Sequence, residues 1–292
     1  MARLNMRPCG QQLVARRRRS LYDARMRNDD DGGAAGGDPA SSASSASSVI
    51  RVIRLAGGKA NAMDDALLSE LERQIDELER GPARAAVLTG YERFFSAGLP
   101  LPRLVDLDRA GMRAFIERFA RAMRRVLACE KPLVAAINGH AIAGGCVLAL
   151  MCDWRICADG SAKIGLNETQ LGVGLPAIVI EPLRAQVPPA SLVPIALEGR
   201  LFSPREAHAL GLVHEVVAPD ALLARAEAKA RDLAVPAPIA VAQVKRALRA
   251  PILEAVARTA AEETERWLDS WFTDAAQARL RAAVAGLGGG AA

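Results

Sequence analysis

Three histidines are all that the 292-residue sequence contains, and its five cysteines, Cys9, Cys129, Cys146, Cys152 and Cys157, include no Cys-x-x-Cys pair. No zinc-ligand spacing and no His-based nucleophilic triad can be assembled from them. His208 falls in a helical stretch and His214 in a β-like run, HEVV, so both read as structural. An odd number of cysteines in a large apolar chain points to reduced, buried thiols and a cytoplasmic location. A run of ~20 apolar residues and a secretory signal pattern are both missing, so a soluble protein is expected. The net charge of +5 also lacks a focus. Residues 1–48 hold eight Arg and five Asp, a net +3, which leaves +2 for everything else. A near-neutral body argues against nucleic acid as a partner, because tracking a phosphate backbone needs a basic stripe.

What is present divides at residue 48. Residues 1–48 combine RRRR (16–19), DDD (29–31) and GGAAGGDPASSASSASS without any apolar period. Such a segment cannot bury enough surface to offset its chain entropy, which predicts a disordered low-complexity tail. The remaining ~240 residues suffice for one sizeable α/β domain. A half-buried strand is predicted over 49–55, then a helix from Asp64-Asp65 to about Glu79 with Leu67, Leu68, Leu71, Ile75 and Leu78 on one face. AAVLTG (85–90), LVAAIN (133–138) and WRICA (154–158) read as buried strands, with an amphipathic helix over 109–128 between the first two. KIGLNETQLG reads as a loop. From about residue 203, where Ser203-Pro204-Arg205-Glu206 carries a helix-start signature, helices are expected over 219–234, 237–250, 251–271 and 273–287. The alternation of strands and helices argues an α/β fold.

Two loops carry chemistry. FSAGLPL (95–101) and HAIAGGCVLAL (140–150) each place small residues directly after a strand, where backbone amides can approach a ligand. In the second the glycines open a helix, so unpaired N–H groups and the positive end of the helix dipole face the same place. Two such amides on one carbonyl oxygen would stabilise an enolate, worth about 3–4 kcal/mol per donor. The third element is Glu168 in IGLNETQLG, set between Ile164, Leu166 and Leu171, where burial would raise its pKa.

The ordered set KANAM, FSAGLPL, INGHAIAGGC, MCDWRICAD, IGLNETQLG and SPREAHALGLVHEVV resembles the crotonase (enoyl-CoA hydratase/isomerase) superfamily over about residues 49–290. FSAGL, AGGC without a following acid, and IGLNETQLG most resemble its 3,2-trans-enoyl-CoA isomerases. The resemblance implies a crotonase-like ββα spiral core over 49–200 and a C-terminal helical trimerisation region over 201–292. It implies oxyanion amides at Leu99 and Gly144, and a loop around Ala60 and Ala62 lying along coenzyme A. Ala97, Gly98 and Leu101 would line the thioester end. Coenzyme A would belong to the substrate, with no separate cofactor and no metal. A homotrimer or hexamer is also implied, through late helices that include Trp267, Trp271 and Phe272.

Hydratases of this group carry two glutamates. Val147 occupies the first position and Glu168 the second, the pattern of a single-base isomerase that moves a double bond from C3 to C2 of a 3-enoyl-CoA. Two departures keep other enolate reactions open: acyl-CoA hydrolysis, decarboxylation, or hydration and dehydration. Pro100 stands where most relatives have Asp, and GVGLPAIVIEPL replaces the usual glycine-rich stretch after Leu171. A non-catalytic acyl-CoA- or RNA-binding protein using the Arg-rich tail is the reading from a different class, with the near-neutral body and Glu168 against it.

Overall fold

The computed structural model describes residues 49–288; the predicted disordered tail, 1–48, and the last four residues lie outside the described residues. Strand β1 (Ile50–Arg54) leads to helix α1 (Asp65–Arg80). Asp64 starts that helix by accepting the Leu67 N–H at 2.9 Å, and Leu67, Leu68, Leu71, Ile75 and Leu78 form its buried stripe. The chain then three times lays down one strand in each of two sheets. The pairs are β2 (Ala85–Thr89) with β3 (Phe94–Ser96), β4 (Leu133–Ile137) with β5 (His140–Ile142), and β6 (Trp154–Ala158) with β7 (Ile164–Gly165). Helices α2 (Leu101–Leu104) and α3 (Arg109–Leu127) follow the first pair, α4 (Gly144–Met151) the second and α5 (Ala177–Gln186) the third. Helix α6 (Pro204–Ala209) precedes β8 (Glu215–Val217). All pairings within the sheets are parallel, in the orders β1-β2-β4-β6-β8 and β3-β5-β7.

The larger sheet is covered on both faces, which is why its central strands read as unbroken apolar runs. Ala85, Val87, Val134, Ala136, Ile156 and Ala158 face helix α7 (Leu222–Ala234). That helix presents Leu222, Ala226, Ala230 and Ala234, a stripe of every fourth residue narrow enough for close packing. The alternate side chains, among them Ala86, Leu88, Leu133, Ala135 and Ile137, belong to the main core. The last strand of the sheet and the helix over one face thus come from beyond residue 200.

The C-terminal helices differ from expectation. Instead of breaking near residue 250, α8 runs unbroken from Pro238 to Trp271, with Pro251 inside it, and α9 (Asp274–Gly288) follows. Proline removes one helix hydrogen bond and crowds the preceding turn. Here α8 is anchored on both sides of it, by Lys245 and Arg249 before and by Ile252 and Val256 after, all buried. Tertiary contacts override the local break. The three-residue strands β3 and β5 and the two-residue β7 were not resolved from the sequence either. Among the described residues no helix is long and apolar enough to cross a membrane.

Asp153, at the start of β6, holds this scaffold together. One carboxylate oxygen accepts the Leu133 N–H at 2.8 Å and the Lys245 ammonium at 2.6 Å, and the other accepts from Arg249 at 3.0 Å. Lys245 and Arg249 are 7% and 8% exposed, so Asp153→Ala would strand two cations inside the fold. We expect a loss of about 3–5 kcal/mol in urea unfolding. Arg205→Ala, which breaks an exposed pair with Asp159, should cost no more than about 1 kcal/mol.

Candidate active site

Because β3, β5 and β7 are parallel neighbours, their C-terminal ends lie along one edge of the small sheet. Open parallel sheets bind ligands along such an edge. The three segments leaving it are Ala97–Leu99, Ala143–Gly144 and Leu166–Glu168, so every element singled out as chemistry-bearing emerges there. Register fixes the arrangement: Ser96 pairs with Ala141, Ile142 with Gly165, and the Ala143 N–H bonds the Gly165 carbonyl at 2.9 Å.

The first two turns touch backbone to backbone. A side-chain carbon on Gly145 would lie 2.1 Å from the Ser96 carbonyl oxygen, and one on Gly98 2.9 Å from the Gly144 nitrogen. Only glycine fits at either place, and Gly98, at φ +89°, is left-handed besides. Ala143, at φ +49° and ψ −120°, enters α4 in a conformation that costs a residue with a Cβ about 1–3 kcal/mol. Gly144 is the first residue of α4, and neither its N–H nor that of Leu99 has a protein acceptor among the described residues. The two predicted oxyanion amides are therefore neighbours, and both are unengaged.

A buried network holds the Leu99 turn, and one member escaped the sequence reading. Asn61 is fully buried and, like Ala60, has positive φ (51° and 62°). Its side chain accepts the Gly57 N–H at 2.9 Å and donates to the Phe95 carbonyl at 3.1 Å. Its own carbonyl accepts from the Ser96 hydroxyl at 2.7 Å, and that hydroxyl accepts the Gly98 N–H at 3.1 Å. The Ala97 N–H bonds the Ala60 carbonyl at 3.0 Å, and the Met63 N–H bonds the Gly98 carbonyl at 2.8 Å, so Ala62 sits in a loop stitched to the turn on both sides. Asparagine adopts left-handed backbone more readily than most residues, which was the available signal in KANAM. Pro100 starts the single turn α2, leaving Leu101 half-buried against the main core.

Glu168 follows β7 at the head of a one-turn 3₁₀ helix, Thr169–Leu171. The residue is half-buried, yet its Oε2 is sealed from solvent and has no hydrogen-bond partner; Asn167 Oδ1 is in the same state. Burial pushes the Glu168 carboxyl up to about 7, opposed only by its own backbone amide. Val147, in the first turn of α4, is apolar and 1% exposed. Its neighbour Cys146 is close enough to Glu168 to feel the charge. Burial first, and that carboxylate second, push the thiol up to about 12.

The histidines serve packing. His214 stacks on Trp154 at 4.1 Å between ring centres and accepts the Arg155 N–H at 3.0 Å; burial lowers its pKa to about 4. His140 accepts the Lys163 N–H at 3.0 Å. His208 Nδ1 lies 3.2 Å from the Val213 carbonyl oxygen.

The Glu168 environment has a thermodynamic signature. A carboxyl whose pKa is raised by folding binds its proton more tightly in the native state, so stability falls as pH rises from about 4.5 through about 7. Glu168→Gln removes that penalty. Its Tm should exceed the parent's by roughly 7–14 °C at pH 8, and the gap should close at pH 4.5, as read by calorimetry.

Residues 45–280 match the enoyl-CoA hydratase/isomerase family. A putative enoyl-CoA hydratase of Thermus thermophilus is 36% identical over 196 residues, 66% of this chain and 77% of that protein. The 2,3-dehydroadipyl-CoA hydratase of Escherichia coli is 34% identical over 193 residues, 65% of this chain and 73% of that one. Among solved structures, human mitochondrial delta3-delta2-enoyl-CoA isomerase superposes with a TM-score of 0.78 at 28% identity, covering 85% of this chain and 97% of its own. With the paired-strand spiral and the family match over most of its length, this chain belongs to the enoyl-CoA hydratase/isomerase family of the crotonase superfamily.

Proposed function

We propose that this protein is a single-base isomerase that moves a double bond from C3 to C2 of a 3-enoyl-CoA. The observation that carries the reading is the solitary state of Glu168: a buried carboxyl near pKa 7 that no other charged side chain among the described residues perturbs. Ionised Glu168 takes the C2 proton. The C–H electron pair forms the C1–C2 double bond of a dienolate, and the charge moves to the thioester oxygen, where the Leu99 and Gly144 amides receive it. The same carboxyl, now protonated, delivers that proton to C4. The C3–C4 π pair becomes the new C4–H bond, the C1–C2 pair shifts to C2–C3, and the charge returns from oxygen to re-form the thioester carbonyl. One base serves both transfers because each needs only hydrogen-bond reach and a pKa near the working pH. In this reading Ala60 and Ala62 lie along the coenzyme A chain, and Ala97, Gly98, Leu101 and Val147 border the thioester and acyl carbons.

Hydration of a 2-enoyl-CoA is the competing reaction, and the names of the curated relatives favour it. It requires a water held and oriented at C3. Val147 offers that water no hydrogen bond, and its side chain is buried.

Purified protein given a 3-enoyl-CoA and a 2-enoyl-CoA separately distinguishes the two. Isomerisation with little hydration is expected, and hydration at a comparable rate would overturn the proposal. Glu168→Gln should lower kcat by about 10²–10⁴-fold, the usual worth of a positioned base. Since the base must be ionised, kcat/KM should climb with pH and level off above about 7. A profile flat from pH 5 upward would contradict the proton-transfer role.

A further inference from the structure

The turn that carries Glu168 is compact but does not hold the carboxyl. The Glu168 carbonyl accepts the Leu171 N–H at 2.9 Å and the Val173 N–H at 3.0 Å, while Oε2 has no protein partner. Where the carboxyl stands therefore depends on what the turn is fastened to. On one side the Thr169 hydroxyl donates to the Ala196 carbonyl at 2.7 Å. On the other lies the corner between α8 and α9. Ser270 Oγ accepts the Gly174 N–H at 3.0 Å and donates to the Trp267 carbonyl at 2.7 Å, so both its hydrogen-bonding roles are used. Gly172 is left-handed at φ +81°, and a side-chain carbon there would meet Ala276 Cα at a tight 3.2 Å. The corner is itself braced. The Gln277 side chain donates to the Trp271 carbonyl at 2.9 Å, and the Ala276 N–H bonds the Thr273 hydroxyl at 3.2 Å.

We infer that Ser270 is a positioning residue for the Glu168 base: through the Gly174 amide it ties the base-carrying turn to the C-terminal helical corner and so sets where the carboxyl stands. The inference rests on reading Glu168 as the base. Its physical content is asymmetric. One neutral hydrogen bond contributes little to folding, but proton transfer at carbon is sensitive to placement, and an error of about 1 Å can cost up to about 100-fold. A loosened turn would also admit water to the carboxyl and relieve the burial that raises its pKa. Ser270 should therefore influence the rate and the titration of Glu168 far more than it influences stability.

The test compares the full-length parent with Ser270→Ala and Ser270→Thr; threonine can keep both hydrogen bonds from within a helix. Three readouts are taken: kcat and KM on a 3-enoyl-CoA, exchange of the C2 hydrogens of the thioester with deuterium, and the Glu168 pKa by carbon-13 NMR, assigned by its absence in Glu168→Gln. Ser270→Ala should lower kcat and the exchange rate about 10- to 100-fold with KM within about twofold, and should move the Glu168 pKa down toward 4.5. Ser270→Thr should restore most of both. In the Glu168→Gln background Ser270→Ala should add no further loss, since residues acting as one unit are non-additive. The inference is overturned if Ser270→Ala lowers only Tm, with rate and pKa unmoved, or if its loss adds in full to that of Glu168→Gln. A parent that exchanges C2 hydrogens without isomerising would sink the proposed function alone, leaving Ser270 to be judged on exchange and titration. A parent that does neither would leave the pKa comparison to decide.

Discussion

Ser96 and Gly145 meet with no room for a side chain between them, and the site depends on that contact. This close approach is what brings the turns that carry the Leu99 and Gly144 amides side by side. Close approach is obtained by combining glycines with a three-stranded parallel sheet of short strands, with a register shift between Phe94 and Ser96 where β3 meets β5. It is not free of strain, because Ala60, Asn61 and Ala143 all hold positive φ. Each such residue costs about 1–3 kcal/mol and persists only where its surroundings over-determine it. Here those surroundings include Asn61 and Ser96, both fully buried, with their polar groups hydrogen-bonded.

The larger sheet supplies the rigidity that tolerates this strain. Its two covered faces and the smooth alanine stripe of α7 make a tight layer. Asp153 then links β4, β6 and α8 at a single carboxylate. Division of labour between the sheets follows: the large one is stabilised by burial and charge pairing, while the small one ends in turns where the Leu99 and Gly144 N–H groups have no protein acceptor among the described residues.

How much of this was readable in the sequence depended on the range of the forces involved. Helix α1 announced itself through Asp64 and five leucine or isoleucine positions, because amphipathic period and N-capping are local. FSAGL, AGGC and Glu168 were readable because close backbone approach demands glycine and a buried acid needs apolar neighbours. Strands of two or three residues have no period to detect, so β3, β5 and β7 were missed, and with them the reason the three turns converge. Pro251 suggested a helix end that long-range anchoring by Lys245, Arg249, Ile252 and Val256 overrides. Ser270 lies 96 residues from its partner Gly174, and nothing local distinguishes it from any other helical serine.

Cys146 sits in the first turn of the helix that begins at Gly144. Burial pushes its thiol up to about 12, so it stays protonated at neutral pH. The conjugated thioester that the proposed reaction releases is a soft electrophile at C3, the kind of carbon that thiolates attack. Burial and the nearby Glu168 charge keep this sulfur as the unreactive thiol. A nucleophilic atom can thus stand beside the site because the fold around it, before any charge, keeps it closed.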